Sequence, residues 1–113
     1  MSTYVYLFRN GPRPATAASM QQQMQDWNVW MKELRALNCL KDAGQPVAPE
    51  GKVVKGLRRD VANGPVLDGG QVVSGFLVIE ARDIDQAVEL SRGCPIFSSD
   101  GSVEIRPVMT LSS

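Results

Sequence analysis

What most restricts the fold of this chain is the order of its hydrophobic patterns. Strand, long helix and strand are followed by strand, helix and strand, all within 113 residues. That length gives one domain, spanning 1–113, with enough residues for a single core. The first strand is expected at 3–9, where Tyr4, Val5, Tyr6, Leu7 and Phe8 are all strand formers. Asn10-Gly11-Pro12 ends it. Met20, Met24, Trp27, Trp30, Met31, Leu34 and Leu37 then recur at helical spacing and form one stripe. Thr16 or Ser19 caps this helix, and Asn38 terminates it in a left-handed conformation. With Gly44, Pro46, Pro49 and Gly51, residues 41–52 read as loop.

Residues 53–59 and 61–67 read as a short hairpin with Asn63-Gly64-Pro65 as its turn, and Asp68-Gly69-Gly70 is a second turn. The clearest strand is 72–81. Asp83 and Gln86 have capping-box spacing and open a helix over 84–92, which Gly93 and Pro95 stop. Residues 103–109 form the last strand, with Val103, Ile105, Pro107 and Met109 on one side and Glu104 and Arg106 on the other. With the hairpin counted as the second strand, the order is the α+β, ferredoxin-like split βαβ sandwich, an antiparallel sheet with two helices on one face. A sheet covered on one side alternates apolar and polar residues. Residues 4–8 and 76–79 do not alternate, so the second face also needs a cover. A second copy supplies it, and the expectation is a homodimer with facing sheets, a dimeric α+β barrel. The competing expectation is a monomer in which Tyr4, Tyr6 and Phe8 stay half-exposed.

Composition removes several function classes. The chain has no histidine, which excludes Ser-His-Asp, Cys-His and His-metal mechanisms. Twelve basic and twelve acidic residues balance, which argues against nucleic acid as a partner. No apolar run reaches the roughly 18 residues of a membrane span. The glycines fit neither phosphate-binding pattern, and no cofactor is implied. Cys39 and Cys94 lack metal-ligand spacing, so no metal site is expected. The N-terminus has no signal-peptide pattern, so the expected location is cytoplasmic, with two free thiols. A redox pair is the sharper alternative. Treating the two central strands as parallel puts both cysteines at one end of the molecule.

The C-terminal half resembles the YCII-related domain, and within it the DGPF subgroup. The resemblance rests on Asn63-Gly64-Pro65-Val66, Ser74-Gly75-Phe76, Leu77-Val78-Ile79-Glu80, Asp83-Ile84-Asp85-Gln86-Ala87 and Val103 through Met109. With the first strand and the Trp-bearing helix it spans roughly 3–109. It implies a dimeric α+β barrel. Some relatives are thought to act on small aromatic or lactone-like substrates through a His-Asp pair. This chain lacks the histidine and has Asn63 and Val66 where the motif has aspartate and phenylalanine, so that mechanism does not transfer.

The expected function is therefore binding of a small organic molecule in a cavity of the barrel, with possible cofactor-free proton transfer. The alternative is a non-catalytic structural or regulatory interaction protein. Asp68 is the candidate base, set against a turn aspartate bonding its own backbone. Arg106 is a candidate carboxylate clamp, set against a surface pair with Glu104 or Glu80. Tyr6 could offer a hydroxyl inside the barrel, set against interface packing. Trp27 and Trp30 could wall a pocket for a flat ligand, set against plain core. Asn63, at the motif position, completes the ligand-binding candidates Arg106, Tyr6, Asn63 and Trp30. The methionine stripe reads as core.

Overall fold

A computed structural model describes residues 1–10 and 16–109. Along the chain lie β1 (Ser2–Asn10), α1 (Ala17–Ala36), β2 (Leu40–Pro46), β3 (Gly51–Lys55) and β4 (Asp60–Gly64). They are followed by β5 (Val72–Ala81), α2 (Ile84–Ser91), a 3-10 turn (Pro95–Ser99) and β6 (Ser102–Pro107). The main sheet has the order β2-β5-β1-β6 with every neighbouring pair antiparallel. That is the strand order of a ferredoxin-like α+β sandwich.

The caps fall where the side chains dictate. Thr16 accepts from the Ser19 amide at the start of α1, and Asn38 takes φ 57° just past its end. Asp83 accepts from the Gln86 amide, while the Gln86 side chain accepts from the Arg82 amide.

Both helices lie over the β1 face that carries Tyr4, Tyr6 and Phe8. The Tyr6 ring stacks on Trp30 of α1 at 6.1 Å, and its hydroxyl donates to the Ala87 carbonyl of α2. The Trp30 indole N–H donates to the Leu90 carbonyl at 3.1 Å, satisfying one of the carbonyls a helix leaves open in its last turn. Leu34, Leu77, Ile79, Ala81, Ala87, Cys94 and Ile96 complete this core.

Several expectations are corrected. The second strand of the sheet comes from the segment read as loop. β2 pairs with β5 through two register shifts, which let its Gly44 and Pro46 stay at the sheet edge. Gly44 has φ 64°, and a Cβ there would sit 1.8 Å from the Phe76 carbonyl oxygen, so only glycine lets this edge close on β5.

The hairpin is a separate two-stranded sheet, β3 with β4, and makes at most marginal contact with any other element. Its tip is Gly56–Leu57–Arg58–Arg59, closed by Arg59 N–H to Gly56 O at 3.1 Å, with positive φ at Gly56 and Arg59. Gly56 tolerates that conformation without strain, and so the turn forms there. Asn63 and Gly64 are the end of β4, and the Gly64-Pro65 peptide is cis.

Tyr4, Tyr6 and Phe8 are buried within the single chain rather than half-exposed. Met20 and Met24, expected in the core, are exposed on α1. Because β1 and β5 run antiparallel, the two helices end toward opposite ends of the sheet, and so do the cysteines. The Cys39 carbonyl accepts from Glu80 N–H near the end of β5, whereas Cys94 precedes the 3-10 turn that leads into β6. Both thiols are buried and free.

Candidate ligand-binding cleft

The N-terminal half of α1 does not close onto the sheet. The space beneath it is a cleft of about 330 Å³. Local sequence explains the gap. After Leu40, β2 supplies only Lys41-Asp42-Ala43-Gly44-Gln45-Pro46, with no large apolar side chain to fill the space under the helix. The walls are Phe8 of β1, Trp27 and Met31 of α1, Leu77 of β5, and Ile96 of the 3-10 turn. Phe8 and Trp27 meet edge to face at 4.9 Å, which fixes the indole as one wall.

Four amide side chains also line the cleft: Asn10 at the end of β1, Gln23 and Asn28 on α1, and Gln45 on β2. Ser74 and Ser99 add hydroxyls, though Ser74 donates to Phe8 O at 3.4 Å and Ser99 to Ile96 O at 3.0 Å. Among the described residues, every lining side chain is apolar, amide or hydroxyl, and none is ionisable.

The five sequence candidates do not converge on this cleft. Asp68 sits in a tight turn in which its backbone exchanges hydrogen bonds with Gln71 at 2.8 and 2.9 Å. Asn63 lies on the hairpin, where its side-chain oxygen accepts from Lys52 Nζ. Tyr6 is fully buried with its hydroxyl committed to Ala87. Burial raises the Tyr6 pKa far above the ordinary phenol value, with Cys94 and Cys39 adding to the shift. The same cause raises the Cys94 thiol to about 12, against a smaller lowering by its bond to the Ile96 backbone. Trp30 belongs to the core.

Trp27, the other half of that pair, does line the cleft, so the two tryptophans divide between packing and site. Sequence reasoning missed Asn10, Gln23, Asn28 and Gln45. The available signal was on α1, where Gln23, Trp27, Asn28 and Met31 fall at i, i+4, i+5 and i+8, one helical face mixing amides with large apolar groups.

Arg106 stands on the opposite, uncovered face of the sheet. There Val5, Leu7, Phe76 and Val78 form an apolar band, by their pairing across β1 and β5. One border is Glu104, which accepts from Arg9 and, at 3.1 Å, from Arg106. These two guanidiniums hold the Glu104 carboxyl below the usual carboxylate range, their hydrogen bonds outweighing a slight desolvation. The other border is Lys41 with Glu80 at 3.5 Å.

The YCII-related domain matches residues 4–112 of this chain. The chain belongs to that family. No curated protein matches it. In this YCII-related domain the segment Asn63-Gly64-Pro65-Val66 does not line the cleft. Among the described residues, no three His, Cys, Asp or Glu side chains gather to hold a metal ion. No described helix is long and apolar enough to cross a membrane.

Proposed function

We propose that this YCII-related protein is a homodimer, of the dimeric α+β barrel kind, that binds a small organic molecule in the cleft beneath α1. The observation that carries the binding half is the cleft's make-up: aromatic and aliphatic walls with a few uncommitted polar groups, at about the lower end of ligand-site volumes. The site lies within one protomer, between helix and sheet, rather than between two sheets. The dimer half rests on the uncovered band of Val5, Leu7, Phe76 and Val78, bordered by ion pairs that a two-fold partner would meet in reverse order.

Proton transfer is not part of this reading, because Asp68 stands outside the cleft and the described lining has no acid or base. Two buried free thiols fit a reducing, cytoplasmic setting. The test is native mass spectrometry of gently purified protein, joined to Trp fluorescence titration with small aromatic compounds. A dimer that binds such compounds, and loses them on Trp27→Ala, supports the proposal. A monomer removes the first half, and a bare protein that binds none of them removes the second.

A second reading, a non-catalytic interaction protein, draws on the hairpin. Leu57 at its tip is fully exposed, and Val54 and Val61 are exposed on its strands. Deleting the tip would then abolish partner capture while leaving ligand titrations unchanged.

A further inference from the structure

Resting on the binding reading above, we infer that the cleft selects uncharged planar molecules with a carboxamide or lactam edge and discriminates against their ionised counterparts. Among the described residues, Asn10, Gln23, Asn28 and Gln45 make no side-chain hydrogen bond to any other protein group. Elsewhere in the chain Gln22 donates to Asp26 at 2.9 Å and Gln71 donates to Asp100 O at 3.1 Å, whereas the exposed Gln21, Gln25 and Asn38 are solvated. What sets Asn10, Gln23, Asn28 and Gln45 apart is that these four uncommitted amides share one apolar-walled cleft.

A primary amide presents one acceptor and two donors in a plane. It matches a ligand edge that also carries a donor beside an acceptor, which a carboxamide or lactam has and a carboxylate lacks. The walls select shape. The Trp27 indole, held edge to face by Phe8, gives a flat ring a surface to lie on, and Met31 adapts to its outline.

Charge supplies the discrimination. No described lining side chain carries a charge, so an entering carboxylate or ammonium would lose hydration without a counter-ion. Burying an unpaired ion is far more costly than burying a satisfied amide. Neutral donors recover only part of that loss.

Three probes of one ring size separate the terms: 2-naphthamide, 2-naphthoate and naphthalene, titrated at pH 7 by Trp fluorescence and isothermal calorimetry. The expected order is amide tightest, at least tenfold above the carboxylate, with the hydrocarbon between or equal to the carboxylate. Gln23→Leu with Asn28→Leu, both solvent-accessible at the cleft and without side-chain hydrogen bonds, should bring the amide down to the hydrocarbon with Tm unchanged. Asn28→Lys should reverse the preference and favour 2-naphthoate. If 2-naphthoate binds the wild type as tightly as 2-naphthamide, the selectivity inference falls while the binding reading stands. If none of the three binds at millimolar concentration, both fall.

Discussion

The two faces of the central sheet share the same strands but reach opposite ends. On the helix side, Tyr4, Tyr6 and Phe8 of β1 and Leu77 and Ile79 of β5 are almost inaccessible, interlocked with Trp30 and Leu34. On the other side, Val5, Leu7 and Val78 are half-buried by their neighbours, and Phe76 keeps about 37% of its surface. The difference is one of side-chain type as well as cover. The covered face uses large rings whose polar tips reach specific carbonyls, Tyr6 to Ala87 and Trp30 to Leu90. The open face uses aliphatic groups and one phenyl ring, with its polar groups pushed to the borders as ion pairs. The first pattern fixes a unique fold; the second suits a surface that meets another surface.

That comparison is broken most directly on the covered side. Trp30→Ala removes the stack on Tyr6, the bond to Leu90 and most of the volume between α1 and α2. Loss of stability is expected at about 3–5 kcal/mol, the usual range for a buried aromatic. Urea unfolding measures it. A loss under 1 kcal/mol would mean the two faces do not differ in the way described. The matching change on the open side is Phe76→Glu. A partly exposed residue should cost the protomer roughly 1 kcal/mol or less. If the proposed dimer forms through this face, sedimentation should show it dissociating, since a carboxylate would face its own copy across the interface. An intact dimer would locate the contact elsewhere.

The same comparison explains which parts of the structure were readable from sequence. The covered face was legible in β1, where Tyr4, Tyr6 and Phe8 alternate into the core, and only in part on α1, where Trp30 and Leu34 are buried but Met20, Met24 and Leu37 of the same stripe are exposed. The caps at Thr16, Asn38 and Asp83 were legible because their hydrogen bonds are local. β2 was not legible. Its glycine and proline read as loop, and only pairing with the distant β5, from Leu40 with Ile79 to Pro46 with Gly75 and helped by Gly44, makes it a strand. The lack of alternation marked both faces of β1 and β5 as apolar, but not which of the two the helices take. Alternation assigns residues to two sides without saying which side the helices take. The cleft was half legible. Trp27 was named, but the amides gather only after β1, α1 and β2 converge, and no spacing along the chain brings Asn10 to Gln45.

A smaller effect sharpens the interior side. Burial keeps Tyr6 and Cys94 neutral, with Cys94 raised from 9.0 to about 12. Groups whose folded pKa lies above the unfolded value contribute stability that is fully present below the unfolded pKa. It is lost as pH rises through the folded one. Stability should therefore hold to about pH 9, near the ordinary thiol value, and fall progressively toward about pH 12. Cys94→Ala should flatten the first part of that fall, as read by urea midpoints across the range. An unchanged slope would mean that the thiol is not shielded.

The smallest effect belongs to the open face's border. Glu104 is held below its ordinary pKa by Arg9 and Arg106, so it contributes stability that is present above the unfolded carboxylate value. That stability is lost as pH falls through the lowered folded value. Its exposure means water and salt screen most of the attraction. In the isolated protomer, obtained with Phe76→Glu, Glu104→Gln should change the acid unfolding midpoint barely at all. In the proposed dimer the same substitution would act on a cluster at the rim of the paired sheets. There it should raise the dissociation constant several-fold, and more at low salt than at high, because rim charges act chiefly through complementarity. Equal effects in the two backgrounds would show that Arg9, Glu104 and Arg106 serve only their own strands. A salt-dependent effect confined to the dimer would show that the open face is closed by its own copy.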